Sequence, residues 1–266
     1  MTKSFRMDAA ERALLDRDGY VLREAVFDST ECAAIIADCE ALVRRVTTEK
    51  ARNKLRVGGY LIEFEQELGV VAKWEPEAPE LLMGLEPLVR ISEPLARLAR
   101  DPRLIDPSKD IVGADEVDLF TEKLNLKRAH KGGSIWLHQD YPYWADVAQV
   151  ADRVATAMVF LDAATREKGC LEVAPGSHRD GLGARKQASD FGSREMDPES
   201  FDENRLIPLE VGAGAVAFFG AFLVHRSLPN RSDEDRRALL YSYQPAGHPH
   251  LSRLTGRDVK RITEAR

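Results

Sequence analysis

The chain contains six histidines, at positions 130, 138, 178, 225, 248 and 250. One of them stands in a short constellation of ligand types, Trp136-Leu-His138-Gln-Asp140-Tyr. On a strand, positions two apart face the same side. His138 and Asp140 would then converge on one face while Gln139 turns to the other. A third ligand must come from elsewhere, and His225 is the natural choice. It ends the most apolar run of the chain, Ala215 to Val224, where a polar side chain needs a reason. Two imidazoles and one carboxylate form the facial triad that suits non-haem Fe(II). The protein would fill three positions of an octahedron and leave three for a co-substrate and O2. By itself an HxD tripeptide is a weak signal, because a surface His near an Asp arises often by chance.

The elements that must position these residues can be read from the pattern. Residues 8–16 predict a short helix, and Gly19 to Arg23 a short strand after an Asp-Gly turn. Ser29 or Thr30 caps a helix running to about Thr48. Residues 55–75 read as strands joined by turns. Pro76 and Pro79 mark a loop, and residues 80–100 read as helical, broken or kinked at Pro87 and Pro94. Beyond residue 110 the texture changes, with strand candidates at 116–128, 135–141, 155–162, 170–174, 206–209, 215–225 and 236–243. Short strands without intervening helices predict an antiparallel sandwich or barrel. The long polar stretch 178–205 is of a length usually reserved for a lid or binding loop. The expected organisation is one domain over 1–266: a helical layer with accessory strands (1–110), a β core (111–246) and a C-terminal tail (247–266).

Composition narrows the function classes. The 266 residues carry 38 Lys+Arg against 44 Asp+Glu, a formal net charge of −6. No basic field is available for nucleic acid or an anionic membrane. Hydrophobic residues make up 44% and charged residues 31%, an ordinary globular balance that excludes wholesale disorder. The longest apolar run, Ala215 to Val224, falls short of the roughly 20 residues of a spanning helix. The N-terminus has no contiguous apolar stretch of the signal-peptide kind. Three cysteines, Cys32, Cys39 and Cys170, are odd in number. On one helix Cys32 and Cys39 would stand roughly 10 Å apart, too far to bridge. A reducing, cytoplasmic location is the expectation.

Further motifs give the triad a context. After His138-Gln139-Asp140 comes Gly169-Cys-Leu-Glu-Val-Ala-Pro175-Gly176-Ser177-His178. The chain then reads His225-Arg-Ser227-Leu-Pro229-Asn230-Arg-Ser232, and Arg236 follows. With Asp18-Gly19-Tyr20-Val21 before a capped helix, this pattern resembles the phytanoyl-CoA dioxygenase-like family of Fe(II)/2-oxoglutarate-dependent oxygenases, from about residue 10 to 246. The resemblance implies a mostly β fold with flanking helices, a double-stranded β-helix (jelly roll, cupin-like) with an N-terminal helical layer. It implies Fe(II) held by His138, Asp140 and His225, with 2-oxoglutarate and O2 as co-substrates. It implies hydroxylation of an unactivated C–H of a small organic substrate, with release of succinate and CO2. The far carboxylate of 2-oxoglutarate needs a cation, and a guanidinium can pair with it bidentately. Arg236 fits by spacing, with Arg237 as competitor; alternation lets only one of them point inward. The strand before the triad implies Lys127 and Asn125 as further co-substrate contacts, and Thr156 as a hydroxyl donor. Tyr141, Tyr143 and Trp144 stand where the family places a substrate wall. Related halogenases replace the carboxylate ligand with a small residue; Asp140 keeps it, which favours hydroxylation.

One departure from the pattern is Arg226, directly after His225, where a small residue is usual. Alternation points it away from the metal. His248-Pro-His250 reads as an exposed loop beyond the last strand, and His178 as part of a turn that orders backbone. Two other classes stay open: a jelly-roll binding protein without turnover, and a cupin-type metal-dependent hydrolase or isomerase. The second has no use for a dicarboxylate anchor. The expected partner is a small molecule, with no nucleic acid and no membrane; its identity and the oligomeric state are not legible.

Overall fold

The computed structural model describes residues 4–47, 54–57, 60–65, 68–185 and 194–254. Helix α1 (Ala9–Asp18) begins with a reciprocal cap, Asp8 accepting the Glu11 amide and Glu11 the Asp8 amide. It ends at Gly19, whose φ of 84° favours a residue without Cβ. After β1 (Tyr20–Arg23), helix α2 (Ser29–Thr47) buries Cys32, Cys39, Leu42, Val43 and Val46. Its cap is Asp28 rather than Ser29 or Thr30: Asp28 accepts the Glu31 amide at 2.8 Å and Glu31 accepts the Asp28 amide at 2.9 Å. The cysteines are free and buried.

The next segment departs from expectation. Strands β2 (Leu55–Val57), β3 (Tyr60–Glu65) and β4 (Val70–Glu75) are followed by a further strand, β5 (Ala78–Glu86). The expected loop at Pro76–Pro79 and helix over 80–100 reduce to a tight turn and one short helix, α3 (Glu93–Leu98). Leu82, Met83 and Leu85 are buried in β5, which pairs with β4 on one side and β6 on the other. That burial overrides the helix preference of Leu, Met and Glu. Helix α4 (Pro102–Val112) completes the helical elements before the core and was not anticipated.

The remaining strands are β6 (Val117–Lys127), β7 (Ile135–His138), β8 (Ala155–Phe160), β9 (Leu171–Val173), β10 (Ile207–Leu209), β11 (Val216–Gly220), β12 (His225–Ser227) and β13 (Arg236–Pro245), with a short helix α5 (Tyr141–Trp144) after β7. The expected run 135–141 stops at His138, and the run 215–225 divides into β11 and β12. All pairings are antiparallel. A nine-stranded sheet runs β1-β11-β8-β13-β6-β5-β4-β3-β2, and a four-stranded sheet runs β10-β9-β12-β7. They face each other as a jelly roll, with Met158, Phe160, Leu171, Val173, Phe219, Leu223 and Ala238 in one core cluster. A larger cluster joins buried residues of α2, α3 and α4 to strands of the large sheet.

Helix α2 is also tied to the large sheet by charge. Glu40 accepts from Arg128 at 2.8 Å and from Arg237 at 2.7 Å, and the two arginines also meet Asp235, with Asp162 on Arg237. Burial pushes the Glu40 carboxyl upward, but hydrogen bonds from both arginines outweigh it and hold it at about 2. A depressed folded pKa means the stabilisation is complete above the unfolded value of 4.5 and fades as the pH falls toward 2. Glu40→Gln is therefore expected to cost about 1–3 kcal/mol at neutral pH. Thermal melts should show the gap between wild type and variant narrowing below pH 4.5 and closing only near pH 2.

Candidate metal centre

Strands β7 and β12 lie side by side in the small sheet, and their register sets His138 opposite His225. The ring centroids are 4.1 Å apart. In each ring Nδ1 faces a carbonyl two residues back: Trp136 O at 2.7 Å for His138 and Leu223 O at 2.9 Å for His225. A carbonyl only accepts, so Nδ1 carries the proton and Nε2 offers its lone pair to the cavity. Burial, with the neighbouring His138 second, pushes His225 down to about 4. It is therefore neutral at neutral pH, the state a metal requires of its ligand.

Asp140 arrives by a different route from the expected strand alternation. The ladder ends at His138, and Asp140 takes helical angles (φ −72°, ψ −33°) at the head of α5. Gln139 is buried, its amide donating to Gly181 O and Phe222 O and accepting from the Gly183 amide. The Tyr141 amide donates to Ala221 O. Those bonds turn the chain, so that Asp140 Oδ1 lies 3.6 Å from His138 Nε2. Burial opposes ionisation of Asp140, but His138, His225 and Lys123 together hold its carboxyl below the ordinary value. Ligand atoms of His138, Asp140 and His225 all lie within 4.8 Å of one another, the one such group among the described residues.

Arg236 shares a cavity with this triad, together with Asn125, Ser227, Leu171, Met158 and Phe219. It is 1% exposed, and Nη2 donates to Gly169 O at 2.9 Å. Its Nε and Nη1 are buried with no acceptor, as is Ser227 Oγ. A guanidinium enclosed in this way is costly unless an anion joins it. Burial lowers Arg236 to about 10, so the charge persists at neutral pH. Arg237 takes the opposite face and is spent on Glu40, Asp162 and Asp235. The donor set thus fits a metal with three open positions beside a bound carboxylate.

The other expected residues divide. Asn125 lines the cavity. Lys127 does not: it is buried, and its Nζ donates to Gly133 O and to Leu228 O at 2.6 Å. It ties two loops together, and burial followed by the charge of Arg236 pushes it down to about 6. Thr156 faces the far side of the triad, paired with Ser242 at 2.8 Å. Tyr143 meets His138 edge-on at 5.7 Å, and Trp144 packs on Phe120 at 5.3 Å; both line that far side. Tyr141 instead stacks on Phe222 at 4.7 Å and lies outside both cavity walls. The Arg226 guanidinium is held by Glu172 at 2.6 Å and Glu203 at 2.7 Å, and the residue still borders the cavity of Arg236. His250 is not a free surface residue: its Nε2 meets the buried carboxylate of Glu122 at 2.7 Å, and Leu251 behind it closes the cavity. The part of the expected lid at 186–193 lies outside the described residues.

Sequence reasoning missed Lys123, Lys73, Glu86 and Tyr60, which line the cavity beside His138 and Asp140. Lys123 was recoverable, since it shares a strand face with Asn125. Lys73 and Glu86 come from β4 and from a segment read as helix, so no pattern aligned them.

Residues 15–238 match the family model described as phytanoyl-CoA dioxygenase (PhyH). An ectoine dioxygenase of Sphingopyxis alaskensis is 29% identical over 180 residues, 67% of this chain and 52% of the relative. An L-proline trans-4-hydroxylase of Streptomyces griseoviridis is 30% identical over 202 residues, 68% of this chain and 73% of the relative. The matched segment spans only about half the length of the ectoine dioxygenases. The crystal structure of EctD from S. alaskensis with 2-oxoglutarate and 5-hydroxyectoine aligns with a TM-score of 0.70 at 25% identity, over 92% of this chain and 78% of that one.

Removing one ligand should abolish tight metal binding without unfolding the protein. For His138→Ala and Asp140→Ala, anaerobic Fe(II) titration is expected to show a loss above about 100-fold, beyond the 10–100-fold typical of outer-shell partners. The metal-free variants should melt close to wild type.

Proposed function

The chain belongs to the phytanoyl-CoA dioxygenase family, and from that premise we propose that it is an Fe(II)- and 2-oxoglutarate-dependent dioxygenase that hydroxylates a small organic substrate. The observation that carries the reading is Arg236, a buried cation with two unpartnered donors in the same cavity as a His-Asp-His group. A cupin-type hydrolase or isomerase that uses no dicarboxylate co-substrate would have no need of it.

His138, Asp140 and His225 would hold the iron, and Arg236 with Ser227 would receive the far carboxylate of 2-oxoglutarate. Bound there, ferrous iron would supply O2 activation coupled to decarboxylation of 2-oxoglutarate to succinate and CO2, with the second oxygen atom going to a substrate C–H. The residues of this chain do the positioning. The carbonyls of Trp136 and Leu223 fix the imidazole tautomers, so the ligands need no rearrangement. Gly169 O orients the guanidinium from one side and leaves its other donors toward the cavity. Tyr143 and Trp144 supply apolar walls on the far side, where a substrate would lie. No described helix is long and apolar enough to cross a membrane. Free, buried thiols suit a reducing compartment, and the cytoplasm is the proposed location.

Anaerobic addition of Fe(II) and 2-oxoglutarate should give the weak visible charge-transfer band of the chelate. A binding protein that has lost the site would give none. Truncating one partner of a buried charge pair costs about 3–5 kcal/mol. Arg236→Ala should therefore raise the 2-oxoglutarate requirement by about two to four powers of ten, with Fe(II) affinity little changed. Arg237→Ala should lower the melting temperature but leave that requirement near wild type.

A further inference from the structure

Three charged groups stand beside the triad, and two of them, Lys73 and Lys123, border the Arg236 cavity as well. Lys73 on β4, Glu86 at the end of β5 and Lys123 on β6 lie across three neighbouring strands and line one cavity with His138 and Asp140. Lys73 Nζ is 3.1 Å from one oxygen of Glu86, and Lys123 Nζ is 3.7 Å from the other. Two ammonium groups thus share a single carboxylate, and the cluster carries one surplus positive charge.

Among the described residues lining this cavity, the other carboxylates are Glu122 and Asp140. Glu122 directly precedes Lys123 on β6, but one of its oxygens accepts the amides of Leu88 and Val89 and the other meets His250. Asp140 belongs to the metal group. Burial and the charge of Lys123 both work against the Lys73 ammonium, and Glu86 offsets them only in part. An incoming anion would relieve that repulsion. The rest of the wall mixes aromatic and aliphatic side chains, among them Tyr143, Trp144, Leu240 and Leu251, with the hydroxyls of Thr121, Thr156 and Ser242.

We propose that Lys73 and Lys123 receive an anionic group of the organic substrate, so that the substrate class is a small organic acid, a carboxylate or phosphonate, presenting an aliphatic C–H to the metal. This rests on the dioxygenase reading, in which 2-oxoglutarate is already held at its far end by Arg236. Glu86 acts as the counter-ion that keeps the two ammonium groups side by side.

The test uses the Fe(II)- and 2-oxoglutarate-loaded protein and follows succinate release. The probes are free amino acids, short hydroxy acids and aminoalkylphosphonates, each beside its carboxamide or phosphonate diester. At least one acid should stimulate turnover, with its neutral counterpart less efficient by about tenfold or more, the equivalent of one charge contact. The carboxylate and phosphonate arms decide which anion fits. Lys73→Gln and Lys123→Gln should each raise the KM for that acid by about tenfold. The 2-oxoglutarate requirement and the visible band should stay within about twofold of wild type. Lys→Arg at either position should restore part of the loss. The proposal is overturned if neutral counterparts match the acids, if no acid stimulates turnover while the visible band forms, or if the variants shift the 2-oxoglutarate requirement instead. Absence of the band in wild type would overturn the dioxygenase reading itself.

Discussion

The register between two very short strands, β7 and β12, is the constraint that the rest of the site depends on. Only that register places His138 opposite His225. A ladder of this length does not hold itself, so its neighbours must fix it. On the far side β12 pairs with β9, His225 opposite Val173. The Val224 amide donates to Ser177 Oγ at 2.9 Å, and Val224 O accepts the Ala174 amide. Met196 bonds to Leu137 O on the outer edge of β7. A slip of one residue would turn His225 outward and bring Arg226 in. Arg226 penalises that slip, because it would break the pairs with Glu172 and Glu203.

The two arginines that open β13 solve the opposite problem with the same device. Adjacent positions on a strand face opposite sides, so one guanidinium goes into the cavity and the other to the helical layer. Arg237 is satisfied by three carboxylates, which makes the orientation of the pair energetically one-sided. Arg236 is left under-satisfied. The turn that delivers them is ordered by Asn230, whose amide donates to Lys127 O and Glu234 O and whose oxygen accepts from Ser232. The Asn and Ser of the sequence pattern thus act on the path of the chain, not on a ligand. Gly169 contributes similarly: with φ of 64° and Leu228 O 2.1 Å from where a Cβ would stand, only glycine brings its carbonyl under Arg236.

What was legible in the sequence follows from range. His138, Asp140, His225 and Arg236, which share one cavity, could be picked out because they sit in local patterns tied to strand ends. The elements before residue 50 and after 110 were legible from caps and alternation. The stretch 78–86 was not, because its leucines and methionine fit a helix as well as a strand, and only burial between β4 and β6 decides. That one error hid Glu86, and with it the charged half of the cavity. Lys127 was misjudged for a related reason. Alternation correctly gives it the face of Asn125, but at the end of β6 that face is covered by the loops around Gly133 and Leu228. Periodicity reports a face and says nothing of what lies over it. Asp140 was reached by an argument whose premise fails, since a turn rather than a pleat aims it.

The two ends of the cavity differ in how they tolerate being empty, and this separates their roles. At one end Arg236 stands without a counter-charge and with donors unused, so the empty state carries the full cost of a desolvated cation. Such a site gains most from a ligand that arrives first and fits closely, which suits a co-substrate common to every turnover. At the other end Glu86 already offsets the lysines, with its carboxyl drawn down to about 2 against the upward push of burial by Lys73 and Lys123. The empty state there is tolerable, and a ligand must compete with an existing ion pair for part of the charge. Discrimination is sharper under that condition, because a neutral molecule displaces nothing and gains nothing from the surplus. The fold sets these two electrostatic regimes around the same His-Asp-His group, Arg236 on β13 and the lysine pair on β4 and β6, with Lys73 and Lys123 bordering the cavity of Arg236 as well.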